Sequence, residues 1–271
     1  MGKFDNIAIL TDLDQTFFAD GAKIVERNLE AIEYFKSEGG LFTLATGRMH
    51  MNLDELIPNV DKLVNAPAVM CNGTYFYDFE NKKVFCETYM DASLAYNLVQ
   101  FVNDLGMGGY IRGCGGEKYI VDSVDLRGEE LMKSYGITAY ELVPYRDWNT
   151  EGFYKVVFND DAENLIELEE IIKEKFPDAF EYNRSRPTLL ELQMNGINKS
   201  SLLDSFKEIY KKQGRDITLY ACGDNENDIA MLKKADVAVC PSNAIDEVKE
   251  LCDICLCSNN DGVIADLIYS L

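Results

Sequence analysis

Ile7-Ala8-Ile9-Leu10-Thr11-Asp12-Leu13-Asp14-Gln15-Thr16 is the stretch that decides the fold of this chain. Its apolar run, bounded by polar residues, reads as a buried strand over 7–10. Residues i and i+2 of an extended chain face the same way, so Asp12 and Asp14 point together off its C-terminal end. Open α/β sheets hold their ligands at that edge. Two carboxylates so close repel unless a cation or a shared proton compensates. Oxygen ligands of this kind suit a hard cation, Mg²⁺ above all. One of the pair can attack phosphorus, as aspartyl-phosphate enzymes do. The competing reading is an ordinary acidic strand-to-loop junction.

Outward from this strand, helix and strand alternate. Leu29, Ile32 and Phe35 fall at helical spacing within 25–38, and Gly39-Gly40 stops that helix. Residues 41–45 form a second strand, leading through Thr46-Gly47-Arg48 into a helix over 50–57. A third strand over 68–71 ends at Asn72-Gly73. Such repetition with short joins predicts a parallel sheet covered by helices on both faces. Beyond Asn72-Gly73 the pattern changes to a hairpin (74–79 and 83–88), a helix over 93–105, and strands near Tyr110 and over 119–121. A strand over 153–158 and a helix over 162–175, ended by Pro177, follow. Alternation resumes near Leu189, with helices over 199–212, 227–234, 244–251 and 262–270 and strands over 217–221 and 237–239. The fold class is α/β: a discontinuous core over 1–80 and 188–271, and an inserted α/β domain over 81–187.

Among 271 residues, 47 acidic against 26 basic give a net charge of −21. That field disfavours nucleic acid or an anionic membrane as a partner, and no protein partner is implied. An anionic substrate then needs a local cation and a few placed basic groups. No apolar stretch approaches bilayer length and no basic-then-apolar signal segment opens the chain, so the expected location is cytoplasmic. The ion-pumping ATPases, which also form an aspartyl phosphate, are thereby set aside. Eight cysteines read as reduced thiols. Cys252, Cys255 and Cys257 form a CxxCxC run, but no compact second ligand pair follows and 253–256 reads as a short buried strand. A zinc or iron–sulfur site is therefore not expected.

Three more segments reach the edge marked by Asp12. Gly223-Asp224-Asn225-Glu226-Asn227-Asp228 follows the strand over 217–221 and opens a helix, with Asp228 one turn beyond Asp224. Acids in a first turn also complement the helix dipole, which accounts for one acid but not the cluster. Thr46-Gly47-Arg48 offers a hydroxyl and turn amides suited to phosphate oxygens, although Thr46 also fits a plain N-cap. Lys199 starts a helix after Gly196-Ile197-Asn198, where a lysine is either solvated or neutralises a transferring phosphoryl group.

Together these segments resemble the haloacid dehalogenase (HAD) superfamily, most closely its Cof-type branch, subfamily IIB. The resemblance covers the whole chain. It rests on Asp12-Leu13-Asp14-Gln15-Thr16, Thr46-Gly47-Arg48, Lys199, and Gly223-Asp224 through Asn227-Asp228, with a long insertion between the second and third. It implies a Rossmann-like core and a cap that sets substrate choice. Asp12 is then the nucleophile and Asp14 the general acid and base. Asp12, the main-chain carbonyl of Asp14, and Asp224 hold Mg²⁺. Thr46, Gly47, Lys199 and Asn227 bind phosphate, and Asp228 orients Lys199 or a metal-bound water. The chain departs from the family in having Gln15 where glycine is usual, and Cys240-Pro241-Ser242 is expected to lengthen the loop before Asn243-Ala244.

Rival phosphatase chemistries lack their residues. His50 is the only histidine, read as a helix-surface residue, and no cysteine precedes an arginine by six positions. Neither GxSxG nor GxxxxGK[ST] occurs. Cap contacts are expected from the turn Arg112-Gly113-Cys114-Gly115-Gly116-Glu117-Lys118 and from Arg184 and Arg186, with surface solubility and a hairpin turn as the competing readings. The expected protein is a Mg²⁺-dependent phosphatase for a small phosphorylated metabolite, a sugar phosphate or nucleotide-related cofactor. A phosphomutase and a non-catalytic phosphometabolite-binding protein are the alternatives.

Overall fold

A computed structural model describes residues 2–116 and 118–271, with Asp54 described in its backbone only. Glu117 of the glycine-rich turn lies outside the described residues. The chain divides into two compact units, Met1–Glu87 with Asn198–Leu271, and Thr88–Ile197.

In the first unit, strands Leu41–Leu44, Ile7–Thr11, Thr218–Cys222, Val237–Pro241 and Ile254–Leu256 lie side by side in that order, all parallel. Chain order runs outward from Ile7–Thr11 in both directions. The reversal falls where Ile7–Thr11 pairs with Thr218–Cys222, in register from Ile7↔Thr218 to Thr11↔Cys222. Crossover connections leave on opposite faces there, so a crevice opens at the carboxyl ends of these two strands.

Alternation along the strands supplies both faces of the core. Ala8, Leu10, Leu219, Ala221 and Ala238 pack against Phe206 and Tyr210 of helix Leu203–Lys211 and Met231 of helix Ile229–Lys234. Ile9, Phe42 and Leu44 are buried and alternate with that set, so they point to the other face. Helices Glu26–Ser37 and Val263–Ser270 pack together on that side. Each large apolar side chain so buried contributes about 1.5–3 kcal/mol before conformational entropy is counted.

The third expected strand, Ala68–Met70, pairs antiparallel with Tyr75–Asp78, which pairs with Lys83–Phe85. A single parallel bridge, Ala45↔Val69, ties it to the main sheet. Cys240 and Pro241, expected in a lengthened loop, instead continue strand Val237–Pro241 in register with Cys255 and Leu256. Ile254–Leu256 is a half-exposed edge strand rather than a buried one.

The second unit holds a six-stranded sheet in the order Glu141–Leu142, Lys118–Val121, Tyr110–Gly115, Phe153–Asn159, Leu189–Met194, Phe180–Arg186. Helices Ala92–Leu105 and Ala162–Lys175 cover one face, with Leu98, Val102, Leu165 and Leu168 against Val156, Phe158 and Leu192. Both unit boundaries fall later than 80/81 and 187/188. The physical reason for the second is that Leu189–Met194 does not resume the parallel core; it pairs antiparallel with strands of this sheet on both sides. Strand Phe180–Arg186 and helix Leu126–Ser134 have no clear apolar period and were not anticipated. Among the described residues, no helix is long and apolar enough to cross a membrane.

Candidate active site

Asp12 leaves the central strand still extended (φ −64°, ψ 162°), its amide donating to the Cys222 carbonyl at 2.8 Å. The chain then turns over Leu13–Phe17 instead of running on as strand. Gln15 at the crest is left-handed (φ 64°), a conformation glycine adopts without steric cost. The Gln15 carbonyl accepts from Asn243 Nδ2 at 2.9 Å. Asn243 Oδ1 in turn accepts from the Asn259 amide at 2.9 Å, and Asn259 Nδ2 donates to the Phe18 carbonyl at 2.9 Å. Thr16 Oγ1 donates to Asp224 Oδ1 at 2.7 Å, joining this turn to the segment after Thr218–Cys222.

Asp224 is two residues past that strand, and Asp228 closes the following 3₁₀ turn, Glu226–Asp228. Asp228 Oδ2 accepts from the amides of Asp224 and Asn225 at 3.0 and 3.2 Å. Its Oδ1 accepts from Lys199 Nζ at 2.6 Å, and Lys199 also donates to Asp12 Oδ1 at 2.5 Å. Gly223 leaves room for this packing, because a Cβ there would lie 2.5 Å from Cβ and Cγ of Asp228. Lys199 is fully buried, in a turn four residues before helix Leu203–Lys211. It does not start a helix, as the apolar period alone suggested. Asn227 is half-buried beside the cluster.

Burial works against the Lys199 ammonium, but Asp12 and Asp228 outweigh it and hold the lysine protonated well above its usual range. Burial lifts Asp12 well above the ordinary carboxylate range; Lys199 opposes this, and Asp228, Asp224 and Asp14 add to it. Asp224 is pushed up to about 7, by burial first and then by Asp228, against the Thr16 hydrogen bond.

Oxygens of Asp12, Asp224 and Asp228 lie within 4.8 Å of one another. Three buried carboxylates therefore face one buried ammonium, an imbalance that calls for a further cation. An all-oxygen donor set suits Mg²⁺ rather than a soft metal. Asp228 is committed on both oxygens, so Asp12 and Asp224 are the carboxylates suited to it.

Thr46 and Gly47 follow strand Leu41–Leu44 at the same edge, with Thr46 buried and its amide bonded to the Val69 carbonyl at 2.9 Å. Thr46 Oγ1 accepts from the Arg48 amide at 3.2 Å. Arg48 then grips Asp14: Nε to Oδ2 at 3.0 Å and Nη2 to Oδ1 at 2.8 Å. His50 is not on a helix surface. It is buried, stacked on Tyr77 at 4.0 Å, with Nδ1 3.0 Å from the Tyr75 hydroxyl.

A family model for haloacid dehalogenase-like hydrolases matches residues 9–268. The chain belongs to that family. YcsE of Bacillus subtilis, a 5-amino-6-(5-phospho-D-ribitylamino)uracil phosphatase, is 28% identical over 94% of this chain and 92% of its own. Pyridoxal phosphate phosphatase YbhA of Escherichia coli is 25% identical over 97% of each chain. A Haemophilus influenzae protein matches at 27% over 52% of this chain, spanning about half, 53%, of its own length. In fold, a haloacid dehalogenase-like hydrolase from Bacteroides thetaiotaomicron superposes with a TM-score of 0.83 at 22% identity, over 98% of this chain and 99% of that one. The subclass IIB sugar phosphatase BT4131 gives 0.82 at 20% identity, over 97% and 98%. Family and full-length relatives place the chain among the Cof-type phosphatases of this superfamily.

In this HAD-like hydrolase the two expected cap arginines part company. Arg184 donates to Glu169 Oε2 and to the Leu165 carbonyl, both at 2.8 Å, which ties it to helix Ala162–Lys175 of its own unit. These bonds hold Arg184 against its own unit. Arg186 is exposed, its guanidinium carbon 5.4 Å from the centre of the Tyr135 ring. Sequence reading passed over Thr16, Asn243 and Asn259, each bonded across more than 15 residues of chain, and gave Arg48 no partner. For Arg48 the signal was present, a basic residue two past Thr46 at the acidic edge.

Proposed function

We propose that this phosphatase hydrolyses the monoester of a small phosphorylated metabolite, with Mg²⁺, through an aspartyl phosphate on Asp12. The observation that carries the reading is the buried group at the sheet's switch point, where the Asp12 carboxylate meets Lys199 at 2.5 Å beside Asp224 and Asp228. Asp12 attacks phosphorus as the ester P–O bond breaks, and Asp14 gives its proton to the leaving oxygen. Asp14 then takes a proton from the water that attacks the same phosphorus, and Asp12 is released. Lys199, kept charged by its two carboxylates, binds the phosphoryl oxygens, with Thr46, Gly47 and Asn227 around them. Asp228 fixes the lysine. Mg²⁺, held by Asp12, Asp224 and the Asp14 carbonyl, supplies further neutralisation of the phosphoryl charge when bound.

The relatives named for a ribitylamino-uracil phosphate and for pyridoxal phosphate support a cofactor-related or sugar-like substrate. The unit Thr88–Ile197 is the part we assign to substrate choice. The test is phosphate release across sugar phosphates, nucleotides and phosphorylated cofactors, with Mg²⁺ or chelator, beside Asp12→Asn. Metal-dependent release abolished in Asp12→Asn is the expected result. No release from any compound overturns the hydrolase reading, and a bisphosphate-primed interconversion in its place identifies a mutase.

A further inference from the structure

Arg112, in strand Tyr110–Gly115, is a buried cation that meets no counter-ion among the described residues. It is 3% exposed, makes no ion pair among the described residues, and its Nε has no hydrogen-bond partner. Its remaining company is Met132 Sδ, 3.8 Å from Nη1, and the Tyr135 ring, 4.9 Å from the guanidinium carbon. A thioether is a weak acceptor and a ring face a partial one, and neither replaces the water a guanidinium gives up. The nearby charges deepen the imbalance. Lys155 is already paired with the buried Glu191, and Arg186 lies over the same Tyr135 ring. The Cys114 thiol beside them is pushed up to about 11 by burial, against the pull of Lys155 and Arg112. A second orphan lies alongside: Asn159 Oδ1 is buried without a partner, while its Nδ2 reaches the Tyr135 hydroxyl at 3.4 Å.

We propose that Arg112 anchors an anion site in the unit Thr88–Ile197, which takes a carboxylate or phosphate group of a small metabolite, with Asn159 Oδ1 accepting a hydroxyl or amino hydrogen next to it. A protein of net charge −21 repels such ligands in general, so a buried guanidinium that keeps its charge locally uncompensated is suited to drawing one in.

The test follows the Arg112 Nε–H resonance in the full chain, metal-free in chelator, titrated with malonate and separately with inorganic phosphate. Arg112→Lys assigns the signal by its loss. A saturable shift with at least one anion, absent with chloride at equal ionic strength, is expected, and the more effective anion identifies the group recognised. In thermal unfolding, Arg112→Met should melt at or above the wild-type temperature in the absence of anion and lose the anion-dependent rise. Absence of a saturable shift with both anions overturns the proposal, and a structural cation–π post would show that together with a lowered melting temperature for Arg112→Met. Neither measurement uses turnover, so failure here and failure of the phosphatase assay are separate results.

Discussion

Arg48 holds both carboxylate oxygens of Asp14, at 3.0 Å from Nε and 2.8 Å from Nη2. The side chain of Arg48 is 10% exposed and that of Asp14 is 34% exposed, so the clamp sits at the rim of the site and fixes the rotamer of the proposed proton donor. A bidentate fork specifies orientation in a way a lysine cannot. Arg48→Lys should therefore lower kcat about tenfold with a smaller change in KM, since general acid–base catalysis depends on placement and is worth roughly 10²–10⁴. Steady-state kinetics on any accepted ester checks this, and an unchanged kcat would remove Arg48 from the machinery.

Asp228 carries two structural tasks at once. It accepts from Lys199 on one oxygen and from the Asp224 and Asn225 amides on the other. Removing one member of a buried charged pair costs about 3–5 kcal/mol. Asp228→Asn should lose about 3 kcal/mol in urea unfolding and most of its activity, because Lys199 and the Asp224 loop shift together. A loss below about 1 kcal/mol would show that Asp12 alone positions the lysine.

Acidity links the site to stability. Asp224 holds its proton up to about 7 in the folded chain, by burial and then Asp228, while an unfolded aspartate releases it near 3.8. Between those values the folded state binds more protons than the unfolded state, so stability falls as pH rises, by roughly 1.4 kcal/mol per pH unit for one group. Asp12 is shifted in the same direction. A bound divalent cation replaces the proton, so the stabilisation by Mg²⁺ should be small at pH 5 and larger at pH 8. Melting temperatures in chelator and in MgCl₂ at both pH values test it; a Mg²⁺ effect independent of pH would contradict it.

Gly73 marks the closest backbone approach behind Lys199. Its φ is +90°, and a Cβ there would stand 1.9 Å from the Asn198 carbonyl oxygen. Gly73→Ala therefore must push the Asn198-Lys199 turn away, with strain of roughly 1–3 kcal/mol. Folded protein with kcat lowered alongside stability is the expected outcome, read by circular dichroism and kinetics. Wild-type kinetics in this variant would mean the turn relaxes without moving Lys199.

Three strands of the parallel core were legible as apolar runs that each end beside a residue with chemistry to offer: Thr11-Asp12, Ala45-Thr46, Cys222-Gly223-Asp224. Periodicity reports burial, so it also recovered Ala162–Lys175 in the second unit. It did not reveal which sheet a strand joins. Leu189–Met194 has the pattern of either unit, and only its pairing with Phe153–Asn159 decides. Phe180–Arg186, an edge strand with Asn183, Arg184 and Ser185 in a row, lacks a hydrophobic period to detect. The long-range bonds of Asn243 and Asn259 are equally silent in sequence, since an amide side chain announces no partner. Burial of Lys199 is another such case: the residue type argues for solvent, and two carboxylates reverse it.

Gln15 is where this chain parts from the residue its backbone favours. It is exposed and left-handed at φ 64°, ψ 5°, and its carbonyl, not its side chain, receives Asn243. For a residue bearing Cβ that conformation costs roughly 1–2 kcal/mol, while glycine's freer unfolded chain gives back about 0.4–1 kcal/mol of the relief. Gln15→Gly should therefore raise stability by up to about 1 kcal/mol and leave kcat within about twofold, since the Asn243 bond to the backbone survives. Gln15→Val should lower it by more than about 1 kcal/mol, because a β-branched side chain tolerates positive φ worst. Urea unfolding of the two variants beside wild type separates strain from contact. If glycine instead destabilises the protein or lowers kcat tenfold, the Gln15 side chain itself contributes to the site, and the left-handed turn is maintained for that contact.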